Sequence, residues 1–280
     1  MNPPRAKTPI MPLATGECGL NKPDPHTPRR DTQAAWPYFL SIIIPAYNEE
    51  RRVPPALDKI VAFLATQSFP AEVLVVDNGS RDRTCEVVAA YADRLAALRV
   101  LHEDRRGKGL AVRRGMLEAR GQFRFLCDAD LSMPIEQVMR FVPPLRTGLD
   151  VGIGSREAPQ SEVIDRPLRR QMGHAFNLLV RCLGLSRHRD TQCGFKCFTA
   201  AAAQDIFRRQ RLDGLAFDAE VLFIAERRGY RVEDVPISWR IDPDTRVRLV
   251  IDAVKMGIDL FCVRWNAWRG LYDDRPPENP

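Results

Sequence analysis

Phe-Arg-Phe-Leu-Cys-Asp-Ala-Asp, residues 123–130, runs a short apolar segment directly into two carboxylates one residue apart. Its first five residues have the length and hydrophobic density of a buried strand. Asp128 and Asp130 then form a compact anionic cup of hard oxygen ligands. Such a cup suits a divalent cation that keeps coordination positions open for substrate phosphates. Asp-x-Asp occurs by chance in many chains, so its meaning rests on the surrounding elements.

The same pattern recurs upstream. Residues 39–44 are apolar and β-branched up to Pro45, and residues 72–76 form a similar run ahead of the turn-forming Asp77-Asn78-Gly79-Ser80. A third run covers 98–101. Between these runs, Leu57, Ile60, Val61 and Leu64 repeat at helical spacing, as do Val87, Val88, Tyr91 and Leu95. Gly107-Lys108-Gly109 opens a further helix through Ala111, Val112, Gly115, Met116 and Ala119. Continuous apolar strands alternating with amphipathic helices predict an α/β fold, its mostly parallel sheet covered on both faces. In such sheets ligands bind beyond the carboxyl ends of the strands. Residues 45–49, 77–80 and 128–130 each follow a predicted strand, so all three are expected on one edge.

Farther along, strands are expected at 151–155, 195–198 and 231–239, and helices at 167–184 and 219–227. Val247, Val250, Ile251, Val254, Ile258, Phe261, Trp265 and Trp268 follow helical spacing, with Asp252, Lys255 and Asp259 on the opposite face. Two readings of this helix stand side by side. It packs its stripe on the sheet, or it lies in a membrane interface with Arg246, Arg248, Lys255, Arg264 and Arg269 around it.

Composition sets outer bounds. A chain 45% hydrophobic and 28% charged can bury an ordinary core, and a net charge of +6 suits anionic partners. The positive charge is dispersed and no reader motif occurs, which argues against nucleic-acid binding. Seven cysteines form no C-x-x-C pair, and four histidines show no H-E-x-x-H spacing, so neither a disulfide framework nor a zinc site is expected. Residues 1–36 hold seven prolines among polar residues and read as a disordered tail. The main domain is expected at 37–245, followed by a C-terminal amphipathic helix and tail at 246–280. With no secretory signal and no run long enough to span a bilayer, the expected location is cytoplasmic, with peripheral contact at a membrane face.

Taken together, the motifs resemble those of inverting family 2 glycosyltransferases with the GT-A nucleotide-sugar fold. The matching pieces are SIIIPAYNEE at 41–50, VVDNGSRDRT at 75–84, RGKGLAVRRGM at 106–116, DADLS at 128–132 and GSR at 154–156. RDTQCGFKCF at 189–198 and LAFDAE at 215–220 complete the series. These last two, with RQMGHAFNLLV at 170–180, resemble the dolichyl-phosphate β-glucosyltransferases more than the mannose synthases.

The resemblance implies roles residue by residue. Pro45, Tyr47, Glu49, Asp77, Gly79 and Ser80 would bind the donor nucleoside, and Lys108 its diphosphate. Asp130 would touch Mg²⁺ or Mn²⁺ directly, with Asp128 nearer the ribose or a metal-bound water. Ser132 stands where mannose synthases often carry Gln. Arg156, Lys196 and Arg246 are the implied cations for catalysis at the acceptor side, with Arg169, Arg170 and His174 as further candidates for the acceptor phosphate. A solvated helix face explains Arg169 and Arg170 as well. Asp218 and Glu220 form another acidic pair, read either as a sugar-hydroxyl contact or as a helix start. The expected donor is UDP-glucose, with GDP-mannose as alternative, and the acceptor a dolichyl or other polyprenyl phosphate. Transfer to a sugar hydroxyl and a catalytically silent nucleotide-sugar or lipid-phosphate binding protein are the remaining readings.

Overall fold

The computed structural model describes residues 36–164, 167–240 and 249–273, with backbone alone at 164, 167–170, 172 and 249–251. The Pro-rich tail, but for Trp36, and Arg246 lie outside the described residues.

The apolar runs become strands in the expected order. β1 (Tyr38–Ala46), β2 (Ala71–Asp77), β3 (Leu98–His102) and β4 (Gly121–Leu126) alternate with α1 (Val53–Ala65), α2 (Thr84–Ala89) and α3 (Lys108–Glu118). These four strands pair in parallel. Side chains alternate across the sheet. Leu40, Ile42, Ile44, Val73, Val75 and Phe125 face α1, whereas Ile43, Leu74, Val76 and Leu126 face Ala111, Val112 and Met116 of α3. Burial on both faces is why the strands read as unbroken apolar runs.

The sheet has seven strands in the order β3-β2-β1-β4-β7-β5-β8, adding β5 (Val151–Ser155), β7 (Lys196–Thr199) and β8 (Val232–Pro236). β7 runs antiparallel to both β4 and β5, with Leu126 opposite Lys196. Its beginning therefore meets the ligand edge where β4 and β5 end. β6 (Glu162–Ile164) and β9 (Ser238–Arg240) form a separate two-stranded ribbon. The helices of this half are α4 (Pro167–Cys182), α5 (Ala200–Arg209), α6 (Phe217–Arg227) and α7 (Leu249–Trp268).

Four local expectations change. Pro45 does not stop β1, because pairing with β4 ends at Ile43 while pairing with β2 continues to Ala46 opposite Asp77. The proline sits beyond the last β4 pair, where its missing N–H breaks nothing on that side. The helix expected through Tyr91 and Leu95 ends at Ala89 and continues as turns, with the Tyr91 hydroxyl donating to the Pro54 carbonyl at 2.9 Å. The strand expected at 231–239 divides at Ile237 into β8 and β9. Finally, α5 was not expected. Four successive alanines favour it, and the Thr199 hydroxyl caps it by accepting from the Ala202 N–H.

The C-terminal helix belongs to the main core rather than standing apart from it. Leu260, Val263 and Ala267 of α7 are buried with Phe217, Val221 and Ile224 of α6.

Candidate active site

The ends of β1, β2 and β4 lie side by side, as the strand order β2-β1-β4 requires. The loops after β1 and β2 are tied by hydrogen bonds, and Arg52 reaches toward Asp130 of the third at 4.0 Å. The Asn48 N–H donates to the Ser80 hydroxyl at 2.9 Å, and the Glu49 N–H donates to the Thr84 hydroxyl at 2.7 Å. Asn48 itself has a positive φ of 54°, a conformation asparagine tolerates better than most residues. Gly79 has φ 70°, which accounts for a glycine at this turn through backbone conformation alone.

Beyond these ends opens a cavity of about 580 Å³. Of the donor-side candidates, Pro45, Tyr47, Glu49, Lys108 and Asp128 line it. Asp77, Gly79 and Ser80 sit in the adjoining turn, whereas Asn78 reaches the cavity wall. Asp77 is 1% exposed; it accepts from the Ser80 N–H at 3.2 Å and faces His102 Nδ1 at 2.8 Å.

Asn78 has a task that motif reading did not assign. Its side chain donates to the Arg105 carbonyl at 2.6 Å and accepts from the Gly107 N–H at 2.7 Å. That clamp holds the loop leading into α3. Gly107 and Gly109 then lie flat against residues 212–213, where a Cβ would come within 2.2 Å of the Asp213 carbonyl oxygen or 2.5 Å of the Leu212 oxygen. The two glycines place Lys108 at the helix start, and the Arg106 guanidinium covers the Tyr47 ring at 4.7 Å.

Lys108 Nζ donates to Asp128 at 2.6 Å. Burial opposes the charge on Lys108, but Asp128 and Asp218 outweigh it and hold the ammonium protonated well above its usual range. Burial likewise works against ionised Asp128, yet Lys108, with Lys196 and Arg156, keeps its carboxyl below the usual range. Asp130 goes the other way. Burial and the Asp128 charge raise it, against hydrogen bonds from Ser132 and the Arg52 charge. The Ser132 N–H and hydroxyl donate to one Asp130 oxygen at 3.1 and 2.9 Å, while the other oxygen lies 4.0 Å from Arg52. Ser132 thus aims Asp130 into the cavity.

The opposite wall comes from β5, α4 and the loop before β7. Arg156 grips Asp190 with both ends of its guanidinium, at 2.8 and 2.7 Å, and stacks over Trp239 at 5.2 Å. Burial raises the Asp190 carboxyl, but the Arg156 charge and hydrogen bonds prevail and hold it below its usual range. His174 projects from α4 into the same cavity, 3.6 Å from Glu157. Asn177 fastens α4 to the β7 loop by accepting from the Thr191 hydroxyl at 2.7 Å and from its N–H at 3.2 Å.

Lys196 was expected among the acceptor-side cations. The structure instead places it behind the wall, fully buried, donating at 2.6 Å each to Asp218 and the Cys193 carbonyl. Asp218 lines the cavity; Glu220 points away and accepts from the Arg211 and Leu212 N–H groups and the Tyr272 hydroxyl. The acidic pair therefore divides between the cavity and the support of the segment under Gly107 and Gly109. Arg169 and Arg170 fall in the first turn of α4, where the backbone alone is described.

Gln192, Asp190 and Gly194 carry site geometry that sequence reading left without a role. Gln192 lines the cavity, and its amide nitrogen is buried with no hydrogen-bond partner among the described residues. All three lie inside the stretch 189–198, so the motif marked the place but not the parts.

An acidic pair, a helix-start lysine and an arginine wall around one cavity, on this sheet, place the molecule among the GT-A glycosyltransferases. The chain belongs to glycosyl transferase family 2, whose model matches residues 41–210. A dolichyl-phosphate beta-glucosyltransferase of Drosophila melanogaster is 35% identical over 271 residues, covering 88% of this chain and 83% of that protein. The Saccharomyces cerevisiae protein of the same name is 33% identical over 257 residues, covering 84% and 77%. Among solved structures, glucosyl-3-phosphoglycerate synthase of Mycobacterium tuberculosis in complex with Mn²⁺ and UDP-glucose superposes with a TM-score of 0.57 at 19% identity, covering 81% of this chain and 78% of that one. At that identity the likeness concerns the fold.

Proposed function

We propose that this chain transfers glucose from UDP-glucose to a dolichyl or related polyprenyl phosphate, inverting the anomeric carbon to give a β-linked lipid-phosphate sugar. Support comes from relatives bearing that activity in their names at 30–35% identity over most of the chain. The carrying observation is that Asp128, Asp130 and Lys108 share one cavity with Arg156 and His174. A donor diphosphate and an acceptor phosphate can meet there with charges of opposite sign to each.

The residues present fit a divalent cation. Asp130 offers hard oxygen ligands beside the Asp128 charge. Arg52, 4.0 Å from Asp130, is itself gripped by Glu49 at 2.7 Å, so in these contacts three carboxylates face two cations, Lys108 and Arg52. Asp130 would hold Mg²⁺ or Mn²⁺, with Asp128 beside it. The ion supplies charge stabilisation for the departing diphosphate.

The chain's own groups do the rest. Lys108, near the α3 N-terminus, binds diphosphate oxygens, and Pro45, Tyr47, Glu49, Asp77, Gly79 and Ser80 frame the nucleoside. Arg156, fixed by Asp190, and His174 orient the acceptor phosphate, with Arg169, Arg170 and Arg246 as further cations for it. One acceptor oxygen attacks the anomeric carbon as the bond to the diphosphate oxygen breaks on the opposite face. A phosphate monoester with a second pKa of about 6 is already ionised near neutrality, so no general base is required. Catalysis then rests on positioning and electrostatics. Among the described residues no helix is long and apolar enough to cross a membrane. We place the protein at the cytoplasmic face of the membrane that holds its acceptor.

The test is transfer of labelled sugar to a polyprenyl phosphate in detergent, with UDP-glucose and GDP-mannose compared and Mg²⁺ or Mn²⁺ supplied or chelated. UDP-glucose-dependent, metal-dependent product that disappears in Asp130→Ala supports the reading. Product from GDP-mannose alone overturns the donor, and undiminished turnover in Asp130→Ala overturns the site.

A further inference from the structure

Five of the nine large hydrophobic side chains exposed among the described residues lie on α7: Val254, Ile258, Phe261, Trp265 and Trp268, each 58–78% exposed. Their spacing of four, three, four and three residues stacks them on one helix face. Leu260, Val263 and Ala267, on the opposite face, are the residues that α7 buries in the core. The helix is therefore apolar on two faces, and among the described residues only one is covered. Apolar patches of this extent on soluble proteins mark a surface that meets something else.

We propose that this outer face of α7 is a membrane-docking surface that seats the protein on an anionic lipid bilayer. The proposal rests on the polyprenyl-phosphate reading above and adds the part of the chain that touches the lipid. Charge supports the bilayer as occupant. Lys255, Arg264 and Arg269 are exposed beside the apolar face, where ammonium and guanidinium groups would meet lipid phosphates as the rings enter the acyl boundary. The Trp265 and Trp268 rings, 5.1 Å apart at the helix end, have the amphipathic character of interfacial anchors. Continuity with the site supports it too. Asp252, Ala253 and Met256 of α7 line the same cavity as Asp130, alongside His174 and Phe176 of α4. One helix thus shows lipid-compatible side chains outward and a cavity wall inward. An acceptor whose phosphate enters beside α7 can keep its polyprenyl chain in the bilayer.

The experiment uses the full chain with phosphatidylcholine vesicles, with and without phosphatidylglycerol, and compares it with Phe261→Ser/Trp265→Ser/Trp268→Ser. Co-sedimentation and quenching of tryptophan fluorescence by brominated lipid are read together. The expected result is wild-type binding that strengthens with phosphatidylglycerol, quenching of the α7 tryptophans, and at least about ten-fold weaker binding of the variant. The variant keeps its melting temperature and its turnover of a water-soluble short-chain polyprenyl phosphate. Equal vesicle binding by the variant, or wild-type self-association through this face that the variant abolishes, overturns the proposal. Absence of vesicle binding with intact turnover of the short acceptor defeats docking alone. Vesicle binding with no transfer to any polyprenyl phosphate defeats the acceptor reading and leaves the docking surface standing.

Discussion

Gly194 leaves the space that the Asp128 carboxylate occupies: a Cβ at residue 194 would stand 2.1 Å from Asp128 Oδ2. The glycine comes from the loop before β7 and the aspartate from the end of β4, so the antiparallel strand pair brings them together. Gly194→Ala is expected to fold, because the intruding methyl meets a side chain rather than backbone. It should push Asp128 off Lys108 and lower kcat/KM by about 100-fold, the scale of misplacing a reacting group by an ångström. Mn²⁺ titration calorimetry should show weaker binding with an unchanged circular dichroism spectrum.

Lys196 and Asp218 test whether the wall behind the cavity is held by a buried pair. Lys196→Met leaves Asp218 without its 2.6 Å partner and should cost about 3–5 kcal/mol in chemical denaturation. Lys196→Met/Asp218→Leu removes both charges and should recover part of that loss. Two single-variant losses that simply add would show the pair to be uncoupled.

Arg156 and Asp190 predict an acid limb. The folded-state carboxyl of Asp190 is depressed below its ordinary value of 3.8, so its ionised form stabilises the fold. That contribution is complete above the unfolded value and fades as pH falls through the lower folded one. Thermal melts of wild type and Asp190→Asn should therefore differ most at neutral pH and converge in acid, once pH falls through the depressed folded value. A difference that persists unchanged into strong acid would remove the pair as its cause.

Gln192 offers a buried amide nitrogen with no partner among the described residues, which a bound ligand's oxygen can satisfy. Gln192→Leu should lower kcat/KM by about ten-fold, the worth of one hydrogen bond near 1.4 kcal/mol, with little change in melting temperature. A variant that melts several degrees higher and keeps full activity would make the amide a structural leftover.

Legibility in the sequence followed the range of each interaction. Runs of apolar residues ended by polar clusters disclosed the parallel half, because strand ends and their loops are local. Asp128, Asp130, Lys108 and Arg156 were found for the same reason: each lies within four residues of a strand end or opens a helix. Asp190, Gly194 and the burial of Lys196 depend on β7 running opposite to β4, and neither composition nor spacing records strand direction. Periodicity found the apolar stripe of α7 but not its orientation, since a second, smaller set of residues on the far face does the packing. The short α5 passed unnoticed because alanines, though buried there, give little hydrophobic contrast.

The partnership of Lys196 and Asp218 also bears on where this protein can be divided. The recognised family region closes at residue 210, so it contains the lysine and omits its counter-ion. A fragment cut at that limit would keep the lysine and lose the carboxylate it donates to at 2.6 Å. Sequence similarity and electrostatic closure thus draw different borders, and a piece that keeps this pair reaches into α6.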